Sequence, residues 1–275
     1  MRGVRYLLPA PSERANLFEA YSSGFPSGEG AAVRVNMISS LDGATAVGGR
    51  SGALGGPSDR LVFSVLRSLA DVVLVGSGTA RAEGYGPVEL PDELRSARQG
   101  RGQTPVPPVA VVTQSANLDW GSKLFTARGP RAIVIAPGTT PAAKLAPAAR
   151  VADVLTAGAG SVDLAAAVQA LAERGLRHVL CEGGPMLAAS LARAGLVDEL
   201  CLTLSPKLAG SAGDHLVGGW LGSGGMWLSC QRPDGEHSFS NSPPLAQLVN
   251  LELVHLLEDG GYLFLRMRKS AAASG

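Results

Sequence analysis

The sequence predicts an α/β domain in which helices flank a mostly parallel sheet, with an antiparallel hairpin at the C-terminal end. Short apolar runs rich in β-branched residues, such as Asp71–Val75, are typical of strands buried on both faces of a parallel sheet. These runs alternate with segments whose apolar residues recur at helical spacing. Near the end, Leu248–Leu257 and Gly261–Arg268 alternate apolar and polar residues around Glu258-Asp259-Gly260, which is typical of a hairpin.

The regular part of the chain begins at Val33 and continues as alternating strands and helices. Pro57 suits the first position of a helix, and Gly175 and Gly195 follow two further helices as stop signals. The predicted strands are Val33–Ile38, Asp71–Val75, Val109–Thr113, Ala132–Ala136, Val151–Leu155, His178–Cys181 and Val197–Ser205. The predicted helices are Pro57–Ala70, Asp163–Arg174 and Pro185–Ala194.

Two segments fall outside this alternation. Residues 1–30 are irregular, and we expect an N-terminal extension that lies on the domain, with a helix over Ser12–Tyr21. Residues 31–270 then form a single domain, because no linker separates two cores. Within it, Gly210–Pro244 is rich in Gly, Ser and Pro without clear periodicity, which predicts loops, some of them mobile.

The composition is that of a globular protein. Of the 275 residues, 45% are hydrophobic and 17% are charged, enough to bury a sizeable core. The net charge of +1 and the scattered Lys and Arg argue against a nucleic-acid partner, and no window approaches a membrane span. Cys181 and Cys201 lie in apolar runs and are predicted as small buried side chains. We therefore expect a cytoplasmic protein.

A glycine-containing segment, Val75–Thr79, comes directly after a predicted buried strand. Its glycines would let the backbone approach a ligand, and the amides of Ser77–Thr79 could hold a phosphate or a sugar. Arg81 stands where a dinucleotide fingerprint requires its third glycine, and no Gly-Lys-Ser/Thr of a P-loop follows. A tight strand-to-helix turn is the alternative interpretation.

A second such segment, Cys181–Pro185, joins a predicted strand to a predicted helix. Gly183 and Gly184 expose backbone amides, and Pro185 opens the helix, so the positive end of its dipole points at the carboxyl edge of the sheet. Ligands bind at that edge in open parallel sheets. The lack of side chains at Gly183 and Gly184 favours a pyrophosphate close to the backbone. A compact turn is the alternative, but Glu182 at a strand end has no evident structural task.

Three other polar residues could belong to the same site. Asp42 follows a predicted strand and could orient a polar substrate, although Asp42-Gly43 could also be a plain turn. Arg67 lies on a predicted helix, where it could contact a phosphate or face solvent. Glu83 follows the first glycine segment closely and could enter the same cleft.

Other catalytic schemes find little support in the sequence. No zinc-site spacing and no Gly-x-Ser-x-Gly elbow occurs. The histidines are isolated at His178, His215, His237 and His255. We therefore expect no metal, and a cofactor that carries the chemistry itself.

Four blocks of sequence resemble the pyrimidine reductase domain of riboflavin biosynthesis. They follow the order and spacing of that family and cover about residues 33–268. The blocks are Asn36–Gly43, Val75–Glu83, Cys181–Leu187, and Val197–Leu200 with Pro206–Gly210.

The resemblance implies a dihydrofolate-reductase-like fold, a homodimer, NADPH as hydride donor and a small phosphorylated pyrimidine as substrate. It implies a nicotinamide half lined by Gly76, Ser77, Gly78 and Thr79, and phosphates held by Gly183, Gly184, Pro185, Met186 and Leu187. The positions that match substrate contacts, to the ribose phosphate and the pyrimidine, are Ser51, Arg67 and Glu182. Asn36 is also expected on the substrate side, where the family often has lysine.

The chain departs from the family pattern on that side. Glu83 stands for the first aspartate of Thr-x-x-x-Asp-Asp-Pro, and Gly84 and Tyr85 replace its last two residues. Ala53 or Leu54 stands where a tryptophan is common. The deaminase module of bifunctional relatives, with its zinc motif, is not expected.

Three functions remain open at this point. The first is reduction of the ribosyl group of 5-amino-6-ribosylaminouracil 5′-phosphate to the ribitylamino product. Glu182, Asp42 or Glu83 could assist proton transfer there. The second is NADPH-dependent reduction of another heterocycle such as dihydrofolate, and the third is a non-catalytic NADPH-binding protein. No basic residue is identified that would read the NADPH 2′-phosphate.

Overall fold

The computed structural model describes residues 3–24, 30–210 and 249–270, whose strands form one ten-stranded mixed sheet. The strands are β1 Arg5–Leu8, β2 Ala32–Ser39, β3 Val72–Gly76, β4 Val109–Val112, β5 Ala132–Ala136, β6 Ala152–Thr156, β7 His178–Cys181, β8 Glu199–Leu204, β9 Leu251–Asp259 and β10 Tyr262–Lys269. The helices are α1 Leu17–Ser22, α2 Pro57–Leu69, α3 Ser77–Glu83, α4 Asp92–Gly100, α5 Lys123–Thr126, α6 Ala142–Val151, α7 Leu164–Glu173 and α8 Pro185–Arg193.

The strand order across the sheet is β1-β9-β10-β8-β2-β7-β3-β4-β5-β6. From β8 to β6 in this order the neighbouring strands are parallel, whereas β10, β9 and β1 add antiparallel pairs. Gly260 and Gly261 join β9 to β10 with φ angles of 58° and 85°. Two successive positive φ angles form the two-residue turn that suits the twist of a hairpin.

The central strands bury side chains on both faces, because each face carries helices. Val73 and Val75 of β3 pack with α1 and α2, while Val72 and Leu74 pack with α7 and α8. This explains why the β3 sequence is continuously apolar and does not alternate.

The predicted fold class is confirmed, and the strands and helices predicted between Val33 and Ser205 are present within two residues. The helix predicted over Ser12–Tyr21 is wrong at its start, because Ser12 forms a backbone bridge with Tyr6. Helix α1 begins only after Asn16, whose side chain accepts a hydrogen bond from the Glu19 amide. The preceding residues form β1, which the sequence did not predict.

Helices α3, α4, α5 and α6 were not predicted either. In α4 the buried residue is Arg98, so no apolar periodicity marks the helix. The Arg98 guanidinium donates to the carbonyls of Ser68 at 3.1 Å and Ala70 at 2.5 Å. These carbonyls belong to the end of α2, where a cation is favoured by the helix dipole. Burial lowers the pKa of Arg98 to about 10.

A buried ionic cluster ties the N-terminal residues to the sheet. Glu199 of β8 is fully buried and accepts hydrogen bonds from Arg34 of β2 and, at 2.9 Å, from Nε of Arg266 of β10. The same arginines donate to the carbonyls of Ala20 and Tyr21 in α1. The second positive charge is thereby met by the carbonyl end of a helix.

Acid is expected to destabilise the fold through His255. This side chain lies edge-on between the rings of Tyr6 and Tyr21, and among the described residues its Nε2 has no hydrogen-bond partner. Burial, helped by the charge of Arg266, lowers the pKa of His255 to about 4 from an ordinary 6.5. Between these two pKa values His255 is protonated in the unfolded chain and neutral in the folded chain. The free energy of unfolding therefore falls by about 2–3 kcal/mol as the pH drops from 6.5 to 4.

Urea denaturation at several pH values checks this expectation. His255→Phe should remove most of the slope of the unfolding free energy between pH 6.5 and 4. The variant should retain the loss below pH 3.8 that is expected from Asp71, whose pKa the His178 hydrogen bonds lower to about 2 despite partial burial. An unchanged slope in His255→Phe would place the acid sensitivity elsewhere.

Several sequence predictions fall partly or wholly on residues outside the described ranges. The loops predicted over Gly210–Pro244 lie beyond Gly210, and the hairpin prediction began at Leu248, just outside. Cys181 and Cys201 are free and buried, as predicted. None of the described helices is long and apolar enough to cross a membrane. The domain boundary at residue 30 stays a prediction.

Candidate active site

The carboxyl ends of three adjacent parallel strands meet at one edge of the sheet. Strand β7 lies between β2 and β3, so the segments that follow these strands are neighbours. The Gly76 amide at the end of β3 donates to the Gly183 carbonyl beyond β7 at 2.9 Å. The two glycine segments predicted from the sequence are therefore in direct contact.

Each glycine segment leads into a helix. Ser77, Gly78 and Thr79 form the first turn of α3, and Pro185 is the first residue of α8, with Gly184 as its N-cap. Neither N-cap residue makes a side-chain capping hydrogen bond. Free amide groups and the positive ends of two helix dipoles thus share this edge, which suits an anion.

The second segment has little room for side chains. Gly183 has a φ of 92°, which favours glycine, and its peptide bond to Gly184 is cis. A Cβ at Gly184 would collide with Oγ1 of Thr79. Of the following residues, Leu187 is buried in the core and Met186 is exposed, so Leu187 can offer a ligand its backbone only.

A buried ion pair lies beside the glycine segments. Arg67 of α2 donates from Nε to Oε1 of Glu182 at 2.6 Å and from Nη2 to Oε2 at 2.7 Å, a bidentate pair. The Tyr85 hydroxyl donates to Oε2 of the same carboxylate at 2.8 Å. The Glu182 side chain is 1% exposed and that of Arg67 is 17% exposed. Of the two interpretations of Arg67, the solvent-facing one is therefore wrong.

Ser51 and Glu83 form a second pair. The amide and the hydroxyl of Ser51 both donate to Oε1 of Glu83, at 2.7 and 2.9 Å. Glu83 ends α3, so this pair connects the loop after β2 to the helix after β3. Among the described residues, no group donates a hydrogen bond to Oε2 of Glu83.

Asp42 and Asn36 occupy different places. The Asp42 carboxylate accepts from the Ser40 hydroxyl and from the amides of Ala209 and Gly210, which lowers its pKa to about 2. It thus joins the loop after β2 to the segment after β8. Asn36 lies two residues beyond Arg34, which pairs with Leu180 of β7, so it is level with Glu182 and faces the same side.

Sequence reasoning missed two residues near this edge. Tyr85 follows Gly84, whose left-handed φ of 67° ends α3, and the Glu-Gly-Tyr departure from the family pattern was the available signal. Lys207 donates from Nζ to the carbonyls of Ala53 and Leu54 at 2.7 and 3.2 Å, fastening the loop that begins at Ser51. No local pattern links Lys207 to that loop.

With this geometry in place, residues 31–225 match the RibD C-terminal domain family. The match covers most of the chain and includes every glycine and polar residue of the edge described above. The chain belongs to the RibD C-terminal domain family.

Two relatives with curated names are similar to this chain. The 2,5-diamino-6-ribosylamino-4(3H)-pyrimidinone 5′-phosphate reductase of Archaeoglobus fulgidus is 30% identical over 179 residues, covering 65% of this chain and 81% of that protein. The riboflavin biosynthesis protein RibD of Escherichia coli is 27% identical over 216 residues, covering 74% of this chain and 55% of that protein.

Solved structures of other proteins share the architecture. A pyrimidine reductase-like protein of Corynebacterium diphtheriae superposes with a TM-score of 0.75 at 25% identity, covering 94% of this chain and all of that one. The riboflavin biosynthesis reductase Rib7 of Saccharomyces cerevisiae, at 20% identity, gives a TM-score of 0.60 over 89% of this chain and 92% of that one, which shows a shared fold.

A reductase family implies a nicotinamide cofactor. The edge fits such a group on two observations. A Cβ at Gly78 would meet no atom within 4 Å, so the first turn of α3 is open, while Gly76 and Gly183 hold the backbones together without side chains. Both helix N-termini could then face a pyrophosphate.

Gly184→Asp is expected to weaken cofactor binding in this RibD-family chain by at least about tenfold. The added carboxylate would repel a phosphate, and its Cβ would collide with Thr79, so charge and crowding act together. Titration calorimetry with NADPH measures the loss. Gly184→Ala keeps only the crowding, and Gly100→Ala, at a glycine with open space on distant α4, is the matched control. Wild-type affinity in Gly184→Asp would show that the segment only shapes the fold.

Proposed function

We propose that this protein reduces the ribosyl group of a 5-amino-6-ribosylaminopyrimidine 5′-phosphate to a ribitylamino group, with NADPH as the reductant. One observation carries the proposal. On a single sheet edge, two glycine-containing segments at helix N-termini adjoin the buried Arg67–Glu182 pair. The two segments offer backbone amides to a dinucleotide, and the ion pair offers the guanidinium of Arg67 to a phosphorylated substrate. The names of the relatives, which are reductases of a ribosylaminopyrimidinone 5′-phosphate, support the phosphorylated substrate.

The cofactor would be held by the residues that the family pattern indicates. Gly76, Ser77, Gly78 and Thr79 would line its nicotinamide half, and Gly183, Gly184, Pro185, Met186 and Leu187 its phosphates. When bound, NADPH supplies a hydride. The contribution of the chain is to bring both ligands to one edge in a fixed orientation.

On the substrate side, the reaction breaks the bond between C1′ and the ring oxygen of the ribose. C1′ gains the hydride, and the released ring oxygen gains a proton. Arg67, Ser51 and Asn36 would bind the ribose phosphate and the pyrimidine. A hydroxyl, an amide and a guanidinium together suit phosphate oxygens and ring carbonyls.

The contacts of the three candidate carboxylates favour one of them as the group that assists proton transfer. Glu182 has both oxygens engaged by Arg67 and Tyr85, and Asp42 holds the amides of residues 209 and 210 with a pKa of about 2. Glu83 keeps Oε2 available while Ser51 holds Oε1. We therefore place the proton relay at Glu83, through Oε2.

The test is NADPH oxidation with two substrates in parallel. One is 5-amino-6-ribosylaminouracil 5′-phosphate, and the other is the 2,5-diamino-6-ribosylamino-4(3H)-pyrimidinone 5′-phosphate named for the archaeal relative. We expect turnover of at least one, faster with NADPH than with NADH. Turnover of dihydrofolate alone would favour the other heterocycle reductase, and NADPH binding without turnover of any substrate would favour a non-catalytic protein.

We also propose that the protein is a homodimer. One sheet face of β8, β10 and β9 is apolar and is not fully covered by the described residues. It consists of Leu200, Leu202, Leu204, Leu263, Leu265, Met267, Leu253 and Leu256. A second copy would cover such a face. Sedimentation equilibrium is expected to give the mass of two chains, and the mass of one chain would contradict the proposal. Location in the cytoplasm stays a prediction.

A further inference from the structure

Tyr85 contacts the buried carboxylate of Glu182 from the end of α3, whereas Arg67 contacts it from α2. Gly84 ends α3 in the left-handed conformation, and the Tyr85 amide donates back to the Ala80 carbonyl at 2.9 Å. This turn directs the Tyr85 side chain to Glu182, and its hydroxyl donates to Oε2 at 2.8 Å.

The Tyr85 hydroxyl completes the hydrogen bonding of the carboxylate. Arg67 alone supplies one N–H to each oxygen of Glu182, and Tyr85 adds a second donor to Oε2. The Glu182 side chain is then almost fully covered, whereas the Arg67 side chain keeps part of its surface exposed. A ligand that approaches this pair would therefore meet the Arg67 side chain and not the carboxylate of Glu182.

Aromatic rings fix the orientation of that cation. The Arg67 guanidinium carbon lies 4.0 Å from the ring centroid of Phe63 and 5.9 Å from that of Tyr85. Burial and the charge of Glu182 raise the pKa of Tyr85 well above its ordinary value. The hydroxyl therefore remains a donor throughout the pH range in which the enzyme would work.

Helix α3 connects both halves of the site through these contacts. Its first turn adjoins Gly183 by way of Gly76, and its last residue, Glu83, binds Ser51. Tyr85 connects α3 to the second glycine segment again, because its hydroxyl binds Glu182 and Glu182 directly precedes Gly183. Loss of the Tyr85 hydroxyl would leave the cofactor side intact and release only the substrate side.

We propose that Tyr85 is a positioning residue that occupies Glu182 and so sets Arg67 to bind the phosphorylated ribose of the substrate. The assignment rests on the proposed function for the identity of the substrate. It places specificity for an anionic group, over a neutral hydroxyl or amine, in a residue that itself need not touch the ligand.

The experiment compares Tyr85→Phe with wild type in two measurements. Calorimetry with ribose 5-phosphate in the presence of NADP⁺ reports binding without turnover, and steady-state kinetics report KM and kcat separately. We expect Tyr85→Phe to weaken ribose 5-phosphate binding and raise KM by about tenfold each, since a hydrogen bond to a charged group is lost. The value of kcat should change by less than about threefold.

Tyr6→Phe is the control, because it removes a tyrosine hydroxyl on β1, the strand at the end of the sheet, where the ring packs against His255. Both variants should show similar melting temperatures and wild-type NADPH affinity. The inference is overturned if Tyr85→Phe binds ribose 5-phosphate as tightly as wild type, or if wild type does not bind it at all. It is also overturned if Tyr85→Phe loses NADPH affinity in parallel. Tyr85-dependent binding without turnover of either pyrimidine would instead count against the proposed function.

Discussion

Replacement of Arg67 by methionine is expected to lower kcat/KM for the pyrimidine phosphate by about two to three orders of magnitude. The change removes the guanidinium that would meet the phosphate and leaves the carboxylate of Glu182 buried without its partner. Two lost hydrogen bonds to a charged phosphate, at about 1.5–2 kcal/mol each, correspond to that loss of rate. Breaking the buried pair from one side also costs about 3–5 kcal/mol of folding stability. Steady-state kinetics with saturating NADPH measure the effect.

A second change separates function from stability in this prediction. In the double variant Arg67→Met with Glu182→Leu, both charges are gone, so the unfolding free energy should recover most of its wild-type value. Turnover should not recover, because the cation is still missing. Arg95→Met removes an arginine that is half-exposed on α4, and it should leave both quantities unchanged. A double variant with wild-type turnover would contradict the role given to Arg67.

Glu199→Leu is expected to reduce the free energy of unfolding by about 3–5 kcal/mol, a large part of the stability of a single domain. Glu199 is the carboxylate that faces both Arg34 and Arg266, and all three side chains are almost completely buried. Without it, both buried guanidinium groups lose the carboxylate that they share, and the carbonyls of Ala20 and Tyr21 do not replace its negative charge. Urea denaturation, read at an unchanged slope, measures the loss.

The surface pair of Arg131 and Asp153 provides the comparison. Their side chains are 46% and 61% exposed, so Asp153→Asn should cost no more than about 1 kcal/mol. Limited proteolysis adds a local measurement for Glu199→Leu, because Arg34 and Arg266 also hold the carbonyl end of α1. Cleavage near Ser23 should become faster. If Glu199→Leu and Asp153→Asn lost the same free energy of unfolding, the buried cluster would not contribute the stability expected of it.

The fold was largely predictable because the sequences of its central strands are continuously apolar, which indicates burial on both faces of the sheet. Val72–Val75 is apolar at every position, and helices such as α8 begin with proline and end before glycine. Strand β1 has no comparable signal, since its partner is the distant β9 and its residues alternate weakly. Helix α4 was missed because Arg98 buries a charge where a helix normally buries an apolar side chain.

The site was predictable at its glycines and less so at its side chains. Gly76 and Gly183 follow buried strands, and parallel strands bring such segments to one edge. The pairing of Arg67 with Glu182 spans 115 residues and depends on where α2 packs across the sheet. Local spacing carries no information on such a contact. The sequence alone therefore could not decide whether Arg67 contacts a phosphate or faces solvent. The roles of the individual residues stay proposals.

The pairing of β1 with β9 bears on how the protein is made. Arg5 and Glu258, which form an ion pair across these strands, are 253 residues apart. At about 5–20 residues per second of translation, β1 would wait roughly 10–50 s for its partner to leave the ribosome. During that time the outer part of the sheet has an open edge, and Arg266 is not yet present to join Arg34 at Glu199. Nascent chains should therefore need protection from association at this edge until synthesis is complete.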